Sequence, residues 1–348
     1  MSTHHHNNYF TPLRLLMAFC VAFEHIFYFS AGEPDSPFEL GHTSMAYLAV
    51  NAFFIISGFL ITKSAERSGS VLTFARSRIL RIIPALAVVS VIIALIVAPL
   101  LGGLPAATYY STASVWAGII EIITFVDPYP AWPGFEGSAA VFAGDFTGPI
   151  WTLRFEALAY VMTGGLILLG LHREKLITLI LTLGATALFI LDLQTGMLTE
   201  MSGTLGSLAR FMSCYLYGVC AYQFASYLKL NWLITAAGLI GGAALLAFGI
   251  AHGEILLNIA LAPLIFGLAY SKAKLPKWLT PQTDYSYGLY IFHWPIYQVL
   301  INVFPTAPLF PLLLFAGLPL AFIAAGLSWK LIEKPALKRK TVSAVKLA

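Results

Sequence analysis

Apolar runs of about 20 residues recur along the chain, separated by short polar or Gly- and Pro-containing stretches. A helix needs about 20 such residues to cross the hydrocarbon core of a bilayer, roughly 30 Å at 1.5 Å of rise per residue. The windows fall at about 11–31, 44–63, 82–101, 151–171, 176–195, 207–227, 232–250, 254–271, 285–304 and 309–330. They predict ten transmembrane helices. An eleventh run, about 109–126, is interrupted by Glu121. The first run is too long for a signal-peptide core and lacks a cleavage site, so it is expected to stay as a helix.

Composition agrees with lipid as the solvent. Of 348 residues, 59% are hydrophobic and only 10% charged, against about 45–50% and about 25% in soluble domains. Soluble, disordered and fibrous classes are excluded, and a formal charge of +4 is too small to argue for nucleic acid. Cys20, Cys214 and Cys220 lie inside apolar runs without a CxxC or a nearby His cluster, so they read as packing residues and no metal site is expected. His4, His5 and His6 belong to a polar leader, residues 1–8, left out of the fold reading.

Charge placement orients the spans. With the N-terminus in the cytoplasm and no net crossing by 109–126, the inner segments collect Lys63, Arg67, Arg76, Arg78, Arg81, Arg173, Lys175, Lys229, Lys272, Lys274, Lys277 and the basic tail from Lys330 to Lys346. The outer loops then hold Glu33, Asp35, Glu39, Asp127, Glu136, Asp145 and Glu200 and no Lys or Arg. That asymmetry is the positive-inside rule. A full crossing at 109–126 would put the basic tail outside, so this run is expected to be re-entrant or interfacial within an outer segment of about 102–148. The fold class is an all-α integral membrane protein with both termini cytoplasmic.

Ionisable residues inside spans are costly and commonly functional. Arg14, Glu24, His25, Arg154, Glu156, Asp192, Arg210 and His293 remain there, with Glu24, Arg154 and Asp192 expected to be interfacial or paired. Arg14 and His25 are eleven residues apart, within about 20° of one helix face and roughly 16 Å along it. Ala18, Val21 and Ala22 lie between them, which predicts a shallow groove. Taken alone, the pair is equally readable as a snorkelling Arg and a hydrogen-bonded core His.

Six motifs, in order, shift that balance. Tyr9-Phe10-Thr11-Pro12-Leu13-Arg14, with ten residues between Arg14 and His25, resembles the Arg-x10-His first helix of the membrane-bound acyltransferase family 3 proteins. Phe53–Thr62 is similar to the family's second-helix motif, and Arg76-Ser77-Arg78-Ile79-Leu80-Arg81 to its basic cytoplasmic loop. Trp151-Thr152-Leu153-Arg154-Phe155-Glu156 looks like its Trp-Ser-Leu-x-x-Glu, with Thr152 for the commoner Ser. Ser286–Pro295 and Glu333-Lys334-Pro335 complete the set. The resemblance covers about 9–340, leaving 341–348 as a tail.

The resemblance implies an O-acyltransferase of the bacterial inner membrane, multi-pass, taking acetyl from cytoplasmic acetyl-CoA to a hydroxyl of a cell-surface or exported polysaccharide or lipid-linked sugar. His25 would be the general base, with Arg14 and Glu156 as its catalytic companions. Arg14, Arg78, Arg81 and Ser57 would serve the donor, whose phosphates suit guanidinium groups. Trp151, Arg210, Tyr287, Tyr290 and His293 would line the acceptor's path. Glu156 would orient the His25 imidazolium or bind an acceptor hydroxyl, or simply pair with Arg210. His293-Trp294-Pro295 would alternatively mark a helix break. The rivals are an acyltransferase tailoring a small molecule or lipo-oligosaccharide, and a proton-coupled transporter.

Overall fold

Residues whose side chains face lipid or one another have no water to satisfy their backbone, so long apolar runs fold as helices. The computed structural model describes residues 8–31, 37–135, 142–227, 230–271 and 283–345, and helix dominates them. An isolated bridge between Leu40 and Thr43 is the sole extended pairing among the described residues. His4–His6, Glu33, Asp35, Glu136, Lys229, Lys272, Lys274, Lys277 and Lys346 lie outside them.

The helices are α1 (Phe10–Ala31), α2 (Met45–Arg67), α3 (Val71–Ile92), α4 (Ala98–Leu101), α5 (Ala106–Ser111), α6 (Ala113–Thr124), α7 (Leu153–Leu168) and α8 (Lys175–Thr195), then α9 (Met197–Met201), α10 (Gly203–Gln223), α11 (Trp232–Ala247), α12 (Gly253–Ala269), α13 (Ser286–Val303), α14 (Leu309–Leu312), α15 (Leu318–Ser328) and α16 (Lys334–Val345). Polar caps set several starts. Ser44 accepts from the Tyr47 amide at α2, Ser202 from Thr204 at α10, and Asn231 from Leu233 and Ile234 at α11. Among the described residues, five helical stretches are long and apolar enough to cross a membrane: Phe10–Ala31, Met45–Arg67, Val71–Leu101, Lys175–Thr195 and Leu309–Arg339, with shorter apolar helices besides.

Two boundaries correct the sequence reading. The third helix begins at Val71 rather than near residue 82, so Arg76, Arg78 and Arg81 ride on the helix and not on a loop before it. The segment 109–126 is two helices, α5 and α6, broken at Thr112. At 12 residues α6 rises about 18 Å, too short to cross alone.

The chain forms two units, with α1, α3 and α7 each passing from one to the other. The first comprises Met1–Val21, Phe38–Ala75 and Phe155–Asp284. Its centre is α2 against α10. A Cβ on Gly58 would overlap the Tyr215 carbonyl, and one on Gly218 the Ile55 carbonyl, so both glycines are needed for the backbones to touch. Phe54 stacks on Phe211 beside them, centroids 4.3 Å apart.

The second unit comprises Ala22–Pro37, Arg76–Arg154 and Tyr285–Ala348. Three π-helical turns, Ile93–Val97, Leu313–Gly317 and Trp329–Glu333, all belong to it. Within the first of these, Tyr109 and Tyr110 donate their hydroxyls to the carbonyls of Ala94 and Leu95, at 2.9 and 2.8 Å. At the unit's heart is α13, in which every residue from Ser286 to Pro295 is buried. The helix runs through Pro295 without ending, so His293-Trp294-Pro295 is no helix break.

Candidate functional site

In the second unit α1 brings His25 to His293 of α13. His25 Nδ1 lies 2.8 Å from His293 Nε2, and the rings stack with centroids 5.1 Å apart and planes 20° apart. His293 is fully buried and turns Nδ1 onto the carbonyl of Leu289, one turn earlier, at 2.9 Å. A carbonyl only accepts, so that nitrogen carries the proton. Neutral His293 then has a lone pair on Nε2, and His25 must donate to it from Nδ1. His25 Nε2 is left with its lone pair and no hydrogen-bond partner among the described residues.

Aromatic side chains fix this pair. Trp294 meets His25 edge-on at 4.9 Å and donates its indole N–H to the Asp145 carbonyl at 2.9 Å. Phe29 packs on the same indole at 4.5 Å. Gly148 is required beneath it, because a Cβ there would overlap the indole ring. Tyr297, one turn beyond His293, donates to the Ala22 carbonyl of α1 at 3.2 Å. Next to the imidazoles in sequence, Tyr290 meets Thr152 at 2.7 Å, and both hydroxyls reach the Pro149 carbonyl.

Of the basic residues on α3, Arg81 lies 3.3 Å from Glu333 and over the Tyr287 ring at 5.9 Å. Glu333, which sequence reasoning saw only as part of a closing motif, is 2% exposed and also accepts from Ser328. Tyr287 donates to the Ile82 carbonyl, so its hydroxyl, like that of Tyr290, is committed to protein. Arg78 is half-buried with Nε on Ser77 Oγ at 3.1 Å, and Arg76 is exposed. Trp151 is half-buried in the 3-10 turn Gly148–Thr152.

Four expected site residues belong to the first unit. Arg14 makes an ion pair with Asp284 at 2.7 Å, a partner the sequence did not point to. Ser57 is half-buried on α2. Glu156 accepts from Tyr160, one turn on. Arg210 does not pair with Glu156. Its guanidinium lies over Tyr47 at 3.6 Å and Phe211 at 4.2 Å. The groove expected along α1 is packed instead. Ala18, Val21 and Ala22 are at most 2% exposed, because small side chains let neighbours close in.

Sequence reasoning also missed a second polar cluster in this unit. Glu254, fully buried at the start of α12, is met by His42 Nε2 at 2.7 Å, Tyr47 Oη at 3.1 Å, and the amides of Asn51 and Asn258 at 3.0 and 3.2 Å. Among the described residues, no three His, Cys, Asp or Glu side chains gather as a metal site.

Comparison with known proteins bears on both units. The family described as an acyltransferase domain, acyltransferase 3, matches residues 7–330. A protein named O-acetyl transferase from Shigella phage Sf6 is 29% identical over 97% of this chain and 98% of its own length. One named Nodulation protein 10 from Rhizobium leguminosarum bv. viciae is 30% identical over 97% of this chain and 95% of its own. An acyltransferase named MdmB from Streptomyces mycarofaciens is 31% identical over 34% of this chain and 28% of its own. No solved structure matches the chain.

Proposed function

This chain belongs to the acyltransferase 3 family and is a membrane O-acyltransferase, and from that premise we propose that it moves acetyl from cytoplasmic acetyl-CoA to a hydroxyl of a cell-surface or exported polysaccharide, with His25 as the general base. The single observation that carries the catalytic part is the unpartnered Nε2 of His25, presented by a hydrogen-bonded pair of imidazoles. Acetyl as the group moved is supported by the relative named O-acetyl transferase, which aligns end to end.

In this mechanism the acceptor hydroxyl gives its proton to His25 Nε2 as its oxygen attacks the thioester carbonyl carbon. The carbon–sulfur bond of the tetrahedral adduct breaks, and the CoA thiolate takes the proton back from Nε2. An imidazole can take up a proton and hand it back, which is what the two transfers require. Arg14 is assigned to the donor, with one arm of its fork braced by Asp284. Arg78 and Arg81, one turn apart on α3, are assigned to the phosphates of CoA. Trp151, Arg210 and Glu156 are assigned to the acceptor.

For the membrane, we propose ten crossings with both termini in the cytoplasm of a bacterium and α5 and α6 on the outer side. The five long helical stretches supply half. The runs ending in α7, α10, α11, α12 and α13 supply the others, at the positions where the apolar windows fall. A reporter fused after Arg173 is expected to read as cytoplasmic and one near Glu136 as external. The reverse at Arg173 refutes the ten-span count.

The test of the chemistry is release of free thiol from acetyl-CoA by the purified protein in the presence of a panel of bacterial surface glycans. Thiol release coupled to acetylation of a glycan supports the reading. Transport of a solute with no thiol released overturns it in favour of a transporter.

A further inference from the structure

We infer that His293 is a positioning residue that selects the reactive tautomer of His25, rather than a group that binds the acceptor. The inference rests on the reading of His25 as the base. Its ground is a one-way chain of hydrogen bonds from α1 to the backbone of α13.

That chain runs from His25 Nδ1 to His293 Nε2 at 2.8 Å, and from His293 Nδ1 to the Leu289 carbonyl at 2.9 Å. Its direction is set at the far end, since the Leu289 oxygen cannot donate. Each imidazole has one proton to give in its neutral form, so each link dictates the next. With both rings neutral, the only arrangement that keeps both bonds puts both protons on the Nδ1 atoms and both lone pairs on the Nε2 atoms. One of those lone pairs receives His25; the other is the base. Were His25 to hold its proton on Nε2, two lone pairs would face each other across 2.8 Å.

The surroundings hold that geometry. His293 is fully buried among aromatic neighbours, with the Tyr297 ring at 5.6 Å and the Tyr290 ring at 6.4 Å. The bond from Tyr297 to the Ala22 carbonyl ties α13 to α1 a turn away from the pair. Both nitrogens of His293 are occupied by protein, which leaves it nothing with which to hold a sugar hydroxyl. As the base takes up its proton, the Nδ1–H bond to His293 keeps the ring aimed and accepts part of the positive charge that develops.

The test uses the full chain in lipid nanodiscs. With histidine labelled by nitrogen-15, magnetic resonance of the wild type is expected to show His25 protonated on Nδ1 and bare on Nε2, assigned by the signals lost in His25→Asn. Thiol release from acetyl-CoA with the glycan panel then separates roles. His293→Phe should lower kcat by about 10- to 100-fold, the range for losing a partner that orients an imidazole, with KM for donor and acceptor unchanged. His293→Gln, whose amide can accept from His25 and donate to Leu289, should recover most of kcat. A His25 proton on Nε2, a rise in acceptor KM with kcat intact, or equal losses in the Phe and Gln variants would each overturn the inference. Retention of the wild-type rate by His25→Ala would instead refute the base itself, while the spectrum still reads the tautomer.

Discussion

Two histidines of this protein make contacts of nearly the same length to very different partners. His42 meets Glu254 at 2.7 Å in the first unit, and His25 meets His293 at 2.8 Å in the second. Glu254 gathers four side chains around one carboxyl, and among the buried side-chain atoms of the cluster only Asn51 Oδ1 lacks a partner. The worth of this network is to satisfy buried polar groups that would otherwise destabilise the fold. The pair at His25 is open. Its bonds run in one direction, from His25 through His293 to the Leu289 carbonyl, and leave the Nε2 of His25 bare. A contact distance therefore says little about role; what matters is what stands behind it, a carboxylate shared by four side chains in one case and a second imidazole held by a backbone carbonyl in the other.

That contrast is broken most directly by the two alanine variants. His25→Ala should reduce acyl transfer by about 10²–10⁴-fold, the contribution of a general base, with thermal stability and donor binding preserved. A rate above about a tenth of wild type, measured as thiol release, would make His25 a packing residue. Glu254→Ala should do the reverse, lowering stability by about 1–3 kcal/mol, the cost of leaving buried donors such as the Asn51 and Asn258 amides unsatisfied. The protein that remains folded should turn over near the wild-type rate. A melting curve in detergent beside a rate normalised to folded protein distinguishes the two.

Smaller effects sharpen the picture. Arg78→Ala with Arg81→Ala should weaken acetyl-CoA binding by about 10- to 150-fold, from about 1.5–3 kcal/mol for a bond to a charged group. Unchanged affinity by calorimetry would assign both arginines to topology and to the Glu333 pair. Next to the imidazoles, Asp145 tests how far the outer segment supports the site. Burial pushes its carboxyl up to about 6 from 3.8, against the opposing hydrogen bonds from Thr147 and Gly148. Because the folded value is raised, its contribution to stability is complete below pH 4 and is lost as pH rises through 6. Asp145→Asn, which cannot ionise, should match the wild type at pH 4 and be more stable above pH 6, by no more than about 3 kcal/mol. Equal melting temperatures at pH 7.5 would refute this.

How far the sequence reached differs between helix and site. The window at 44–63 anticipated α2, Met45–Arg67, to within a turn at either end. The window at 82–101 missed eleven residues of α3, because hydropathy registers Arg76, Arg78 and Arg81 as a break. The helix nevertheless starts early, where Ser70 accepts from the Thr73 amide and the arginines are themselves good helix formers. At the site, His25 and His293 each stood out as an imidazole within a span. Their pairing across 268 residues of chain left no local trace. Asp284 and Glu333 escaped notice for a similar reason, since each lies at a span's end where an acid is ordinary.

The sequence by itself determined that this chain folds as membrane helices, where most of them lie, which family it belongs to and which side chains lie within the spans. Those properties follow from solvation and from short-range helical periodicity, which a linear string records. Only the tertiary structure decided which nitrogen meets which, that Arg210 lies over Tyr47 and not beside Glu156, and that the small face of α1 is packed. Such pairings depend on helix register and on close backbone contacts such as Gly58 with Gly218. They are settled by three-dimensional packing between residues far apart in sequence, where no local pattern reaches.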